Sequence, residues 1–358
     1  WSSSAASDVY KRQDTNITGL EFKPDMIWIK SYTHSTYGGG LSYHHLIWDV
    51  VRGVGSNTIG ASSRKELTVN EAYTQGHGAN YTDYYGHVSS FNKDGFQLDH
   101  VSGQPPFYTN QTGRSYVAWC WKAGGDPVSN TDGSVTSTVS ANPEAGFSIV
   151  QFEAQTTNIN ITVGHGLGRK PAFWMWKSID NTIDWYNYHK DIGYDGWLNI
   201  STDSAATTGN DAAWKAEPTS TVLTHGSGLV NQNTIIMYVW AEIPGYSKMG
   251  SYTGNASTDG TYVHLGFRPA YVLLKRTSAA ASWVIHDYKR SGYNGDNDYL
   301  HPDNTQSQSD GSTGTLDFLS DGFKLRMTAG THNDGTFIYM AFAEEPGTTP
   351  FDTFPNAR

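Results

Sequence analysis

Pro24-Asp-Met-Ile-Trp-Ile-Lys30 recurs as Pro171-Ala-Phe-Trp-Met-Trp-Lys177 and again as Pro269-Ala-Tyr-Val-Leu-Leu-Lys275, and the reading of these stretches decides the fold. Each opens on Pro, runs through residues of strand character and ends on Lys at identical spacing. Proline is tolerated at the first residue of a strand, where its missing N–H breaks no ladder bond. The uninterrupted apolar run that follows suits a strand buried on both faces.

Other landmarks follow each of these strands in the same order. An aromatic-bearing segment with a polar turn comes next: His45-Leu-Ile-Trp-Asp-Val-Val-Arg-Gly53, Trp185-Tyr-Asn-Tyr-His-Lys-Asp191 and Trp283-Val-Ile-His-Asp-Tyr-Lys-Arg290. An Asp-Gly turn feeding a strand stands at Asp94-Gly-Phe-Gln-Leu98 and Asp321-Gly-Phe-Lys-Leu325, while the second copy offers only Gly226-Ser-Gly-Leu there. Apolar closing strands begin at Tyr116, Ile236 and Ile338. A recurring series of landmarks is the signature of a repeat architecture. Turn signals every ~8–12 residues predict about seven or eight short strands per copy, the pattern of a two-sheet sandwich. The expectation is an all-β chain of three tandem antiparallel β-sandwich modules, jelly-roll-like, with no helix, because no segment sustains apolar residues at helical spacing.

The expected boundaries are 14–124 for the first module, 125–144 for a spacer hairpin or linker, 145–244 and 245–346 for the second and third modules, and 347–358 for a tail. Residues 1–13, including Ser3-Ser-Ala-Ala-Ser-Asp-Val-Tyr-Lys-Arg-Gln13, resemble translated adapter sequence and are read as non-native. On that reading the first module is truncated, lacks the opening strand that the others start at Gly146 and Gly245, and leaves a raw sheet edge.

Composition narrows the function. The 358 residues are 16% charged and 13% aromatic, with 38 Gly, 12 Trp and 22 Tyr, which favours short strands and tight turns. A net charge of -10 argues against nucleic acid, whose binders carry a basic stripe. No apolar stretch approaches the ~20 residues of a membrane-spanning helix, so membrane insertion is not expected. The single cysteine, Cys120, lies in an apolar strand and reads as a small buried hydrophobe.

The closing strand Tyr116-Val-Ala-Trp-Cys-Trp-Lys-Ala-Gly-Gly, the run from Ser129 to Val150, Thr162-Val-Gly-His-Gly-Leu-Gly, Gly250-Ser-Tyr-Thr-Gly-Asn and Tyr339-Met-Ala-Phe-Ala-Glu together resemble the tandem domain of unknown function carried by structural proteins of marine bacteriophages, including cyanophage tail-fibre-like ones. The resemblance covers residues 14 to 358. It implies a virion location at the tail or particle surface, extracellular once assembled, with other virion proteins as partners and an oligomer compatible with that setting. It carries no catalytic residues and no cofactor.

Candidate sites are weighed against plainer readings. Lys30, Lys177 and Lys275 repeat, and each is placed to reach an acid on the following strand such as Asp49 or Asp287, which reads as a structural ion pair. His189 stands at the matching place in the second copy, where a catalytic Lys–Asp pair would not tolerate it. Thirteen histidines contain no His-Glu-x-x-His spacing, and adjacent His44 and His45 point to opposite faces of a strand, so no metal centre is expected. Asn294-Gly-Asp-Asn-Asp298 with Asp303 supplies oxygens of the kind calcium takes, through Asp296, Asp298 and Asp303, although acidic turns are far commoner than calcium sites.

Trp185, Trp197, Trp214 and Tyr293 sit among polar turn residues, where an exposed ring binds sugar or a protein partner and a buried one plugs the end of a core. The leading expectation is a non-catalytic virion protein, structural and adhesive, presenting loops to a host-surface glycan or receptor. The alternatives are a polysaccharide-degrading tail enzyme, which needs two placed carboxylates, and a bacterial cell-surface carbohydrate-binding protein.

Overall fold

The computed structural model describes residues 2–6, 15–34, 36–37, 41–55, 64–76, 86–99, 108–154, 160–226, 229, 233–291, 294, 298–309 and 314–343. In chain order the strands are β1 Ser2–Ala6, β2 Thr15–Thr18, β3 Met26–Ser31, β4 Thr36–Tyr37, β5 Leu41–Ser42, β6 Leu46–Asp49, β7 Leu67–Thr68, β8 His87–Asn92, β9 Gly95–Asp99 and β10 Tyr116–Trp121. There follow β11 Val128–Asn130, β12 Ser137–Asn142, β13 Phe147–Glu153, β14 Ile161–Gly164, β15 Phe173–Ser178, β16 Tyr186–His189, β17 Val222–His225 and β18 Thr234–Trp240. The rest are β19 Ser247–Asn255, β20 Tyr262–His264, β21 Pro269–Arg276, β22 Val284–Asp287, β23 Tyr299–Leu300, β24 Leu316–Leu319, β25 Gly322–Leu325 and β26 Asp334–Ala343. Against the expectation of no helix, one turn, α1 (Tyr288–Ser291), follows β22. The chain is otherwise all-β and antiparallel in its sheets.

Three large sheets share one strand order: β1-β10-β3-β6-β7 in the first, β13-β18-β15-β16 in the second and β19-β26-β21-β22-β23 in the third. The Pro-to-Lys strands β3, β15 and β21 lie at the centre of each, between the closing strand and the aromatic-bearing strand. That explains their unbroken apolar character, since a central strand is covered on both faces. The segment between the first and second sheets forms the hairpin β11–β12, which extends the second sheet beyond β13. Ser2–Ala6 pairs with β10 in the place that β13 and β19 hold in the other sheets, so the raw edge expected on the first sheet is covered.

Among the described residues four smaller sheets accompany the large ones: β2-β9-β8, β14-β17, β20-β25-β24 and the two-stranded β4-β5. The Asp-Gly turns feed β9 and β25 because only glycine fits there. A Cβ on Gly95, whose φ is 148°, would stand 1.9 Å from the Ile17 carbonyl oxygen, and one on Gly322 would stand 2.1 Å from that of Val263. The second copy reaches the same place by different chemistry. Its strand is β17, upstream of the Gly226 stretch expected to serve, and Thr219 Oγ1 accepts the Val222 N–H at 3.0 Å to set its turn.

Alternation along the closing strands builds the core. Val117, Trp119 and Trp121 of β10 join Ile236, Tyr238 and Trp240 of β18 and Ile338, Met340 and Phe342 of β26 in one cluster shared by the three large sheets. The intervening Tyr116, Ala118 and Cys120 pack into a separate core under the first sheet, and Ile235, Met237 and Val239 into another under the second. Trp121 marks the junction of all three sheets, meeting Trp240, Tyr271 and Phe342 edge-on with centroids 5.9, 6.0 and 6.1 Å away. Complete burial of one large apolar side chain contributes roughly 1.5–3 kcal/mol, so this shared cluster couples the sheets strongly.

Candidate functional site

The repeated lysines form the most regular polar feature of the fold. Lys30 Nζ donates to the Tyr43 carbonyl at 2.5 Å and to that of Thr305 at 3.0 Å. Lys177 donates to the carbonyls of Ile183 and, at 3.0 Å, Ala72. Lys275 donates to those of Ala281 at 2.5 Å and Asp203 at 2.9 Å. The first acceptor of each lies just ahead of its own aromatic-bearing strand; the second belongs to another sheet. The ties run from first sheet to third, second to first and third to second, and so close a ring.

Two further contacts follow the same circuit. Trp185 Nε1 donates to the Thr68 carbonyl at 2.8 Å and Trp283 Nε1 to that of Asn199 at 2.9 Å, while His45, at the corresponding place, lies against the backbone of His301. Backbone bonds complete the set: Gln75 N–H to Ile179 at 2.9 Å, Ala206 N–H to Thr277 at 3.1 Å and Gln308 N–H to Tyr32 at 2.8 Å. The acceptors keep constant spacing, Thr68 with Ala72, Asn199 with Asp203 and His301 with Thr305. That regularity is present in the sequence, but the acceptors are carbonyls and their side chains carry no common type.

All three lysines are 0% exposed. Burial disfavours their charged form and pulls Lys30 and Lys177 down to about 7; Lys275 falls to about 8, the carboxylates of Asp303 and Asp203 opposing the shift. A neutral amine keeps two N–H donors, enough for the two carbonyls each lysine meets. No face of any ammonium group is open to a substrate, so these residues hold sheets together.

The expected pairing of these lysines with Asp49 and Asp287 is corrected by register. Asp49 stands opposite Met26, and Asp287 opposite Tyr271, at the proline ends of their strands, away from the lysines. Asp49 Oδ2 instead takes the Arg52 guanidinium at 2.6 Å and the Tyr238 hydroxyl at 2.7 Å, and the guanidinium also reaches Tyr238 at 3.2 Å. Asp287 takes Arg290 at 2.7 Å. His189, at the matching position in the second sheet, accepts the Asp191 N–H on Nδ1 at 3.1 Å, which leaves Nε2–H to donate to the Tyr339 carbonyl at 3.2 Å. In the first and second sheets this position contacts the closing strand of another sheet.

Of the aromatic candidates, two take the buried reading, in which the ring plugs a core. Trp185 is 0% and Trp214 1% exposed, so neither presents a face to a ligand. The apolar surface of Trp185 goes into the shared core and its Nε1 into the tie to Thr68. Trp214 packs at right angles to Trp174, centroids 5.0 Å apart. Trp197 is half-buried against Tyr186. Tyr293 and Asp296 lie outside the described residues.

The other acidic candidates are engaged separately. Asp298 accepts the Gln308 side-chain amide at 2.6 Å, whereas Asp303 is half-buried beside Ser282 and Lys275, with its carboxyl pushed up by desolvation. Among the described residues no group of three or more His, Cys, Asp or Glu is arranged to hold a metal ion. His44 and His45 do face opposite ways: His44 meets Asn70 and Tyr108, and His45 stacks on Trp119. Cys120 is fully buried, and burial raises its thiol.

No curated protein and no solved structure matches the chain. One family model does, a domain of unknown function designated DUF7483, and it spans residues 6–346, taking in all three large sheets apart from most of β1. The ring of lysine ties and the shared core bind those same residues together, and the chain belongs to the DUF7483 family.

Proposed function

We propose that this chain is a non-catalytic structural protein of a phage virion, tail-fibre-like, in which three tandem jelly-roll-like modules close into one three-sided unit. Its site is the tail or particle surface, and its loops face other virion proteins and a host-surface glycan or receptor. The observation that carries the reading is the ring of lysine ties. Lys30, Lys177 and Lys275, the polar residues that repeat most faithfully, are spent on main-chain carbonyls of neighbouring sheets. Selection for rigidity explains such use of a buried amine; selection for chemistry does not.

The resemblance of the repeated motifs to marine phage structural proteins supports the location. The aspartates a glycoside hydrolase would need, Asp49 and Asp287, are each clamped by an arginine, which weighs against the enzymatic alternative. The test is mass spectrometry of purified particles from a phage encoding this family. Recovery of the protein at stoichiometric copy number is expected; its absence from particles, or release of reducing sugar from host polysaccharide by the purified chain, would overturn the reading.

A further inference from the structure

The opening-strand place beside β10 differs in chemistry from its counterparts in the other two large sheets. Trp119 of β10, Tyr238 of β18 and Met340 of β26 are equivalent, since each stands opposite the fourth residue after a strand-opening proline: Trp28, Met175 and Leu273. Their partners in the opening strands are Ser3, Ile149 and Met249. Tyr116, Ile235 and Phe337 are equivalent in the same way, opposite Ser31, Ser178 and Arg276. Their partners in the opening strands are Ala6, Phe152 and Tyr252.

Ile149, Met249 and Tyr252 are buried in the shared core, and Phe152 in the core under the second sheet. Apolar burial therefore holds β13 and β19 in place as well as the ladder does. Ser2-Ser-Ser-Ala-Ala6 has no side chain longer than that of serine. The hold on β1 comes from main-chain bonds, which any extended segment can make.

We propose that the edge of β10 is a strand-docking site whose partner is an extended segment of another polypeptide with large apolar residues three positions apart. Those residues lie against Trp119 and Tyr116 as Ile149 and Phe152 lie against Tyr238 and Ile235. The incoming strand displaces β1, repeats its ladder with β10 and adds two buried apolar side chains. The fold already makes this pairing twice, at β13 with β18 and at β19 with β26. Two large side chains in place of Ser and Ala favour the exchange about 100- to 10,000-fold. Residues 7–14 tether β1 to β2 and give it an effective concentration of about 1 mM at β10, so half-saturation falls at about 0.1–10 µM. The inference goes beyond the virion assignment and does not rest on it.

The probe is a fluorescein-labelled peptide with the sequence of residues 145–154, Ala-Gly-Phe-Ser-Ile-Val-Gln-Phe-Glu-Ala, titrated into the full chain. Anisotropy reads binding, and hydrogen exchange followed by mass spectrometry locates it. Saturable binding in the micromolar range is expected, with faster exchange at the amides of residues 2–6. A control peptide carrying Ile149→Ser and Phe152→Ala should bind at least about 30-fold more weakly. In the chain itself, Ser3→Ile with Ala6→Phe supplies the larger side chains in cis, and should raise the urea midpoint and exclude the peptide. No saturable binding, equal binding of the control peptide, unchanged exchange at residues 2–6, or undiminished binding to the double variant would each overturn the proposal. Particle composition is measured separately, so failure here leaves the virion assignment to stand or fall on its own test.

Discussion

Lys177, in the last turn of pleat of β15, donates its Nζ to the Ala72 carbonyl 3.0 Å away in the segment after β7, and so fastens the second sheet to the first. Thr305 and Asp203 take the same part towards Lys30 and Lys275. Because the acceptor is main chain, its side chain is free to be Ala, Thr or Asp. The lysine is the only part of the tie that residue identity must preserve.

Replacing Lys177 with Met keeps most of the volume and removes both donors, leaving the Ala72 and Ile183 carbonyls unpaired. A buried polar group deprived of its partner costs about 1–3 kcal/mol. Lys177→Met should therefore lower stability by about 2–4 kcal/mol, partly offset by relief of amine desolvation. Urea unfolding followed by tryptophan fluorescence checks it, and an unchanged midpoint would remove the tie from the account of stability.

The same lysines set an alkaline pH dependence. In the unfolded chain they hold protons up to about 10.5, whereas the fold releases them near 7 for Lys30 and Lys177 and near 8 for Lys275. The unfolded state binds more protons in that interval, so stability rises with pH from 7 to about 9.5. Above that, unfolded tyrosines ionise while buried Tyr246, Tyr252 and Tyr271 resist, and stability falls again. Thermal midpoints across this range should climb and then turn, and Lys177→Met should flatten the climb.

Acid acts through histidine. Burial holds His44, His165, His189 and His225 down to about 4 from 6.5. Their neutral forms suit the fold, and the unfolded chain takes up protons first. The histidine contribution to stability is fully present above pH 6.5 and drains away as pH falls towards 4. Urea midpoints should fall steadily across that window; a flat profile would mean that these rings are solvated.

The buried Asp49–Arg52–Tyr238 group is a sharper probe of coupling between sheets. Arg52→Met leaves the Asp49 carboxylate without its counter-charge inside the protein and should cost about 3–5 kcal/mol. Tyr238→Phe removes the hydroxyl that bridges from the second sheet and should cost about 1 kcal/mol. The double variant should depart from additivity by about 0.5–3 kcal/mol, since both act on one carboxylate. Additive losses would show that Tyr238 contributes to the core alone.

Strand content and the threefold recurrence of landmarks were legible because periodicity and the Pro-to-Lys spacing report local geometry. The closing strands at Tyr116, Ile236 and Ile338 read as core and are core. What local pattern does not encode is which sheet lies beyond a strand. Trp185 and Trp214 are flanked by polar residues, so the sequence leaves an exposed ring and a core plug both open; their environment is made by Thr68 and Trp174, distant in sequence or across a sheet. The lysine acceptors escaped because a carbonyl leaves no trace in residue identity. β17 escaped because Thr219 sets its turn without the Asp-Gly signal.

Trp185 and Trp197 separate the two meanings of an aromatic in a polar turn. Trp185→Phe preserves most of the apolar surface in the shared core but forfeits the Nε1 bond to the Thr68 carbonyl between the second and first sheets. The expected loss is that of one hydrogen bond, about 0.5–1.5 kcal/mol. Among the described residues the aromatic ring against Trp197 is that of Tyr186, and Trp197 is half-buried, so Trp197→Ala should cost less than the ~3–5 kcal/mol of a fully buried tryptophan. On a glycan array Trp185→Phe should leave binding unchanged, because Trp185 has no exposed face. Selective loss of glycan binding in Trp197→Ala, with its urea midpoint unchanged, would place a binding site at the second sheet.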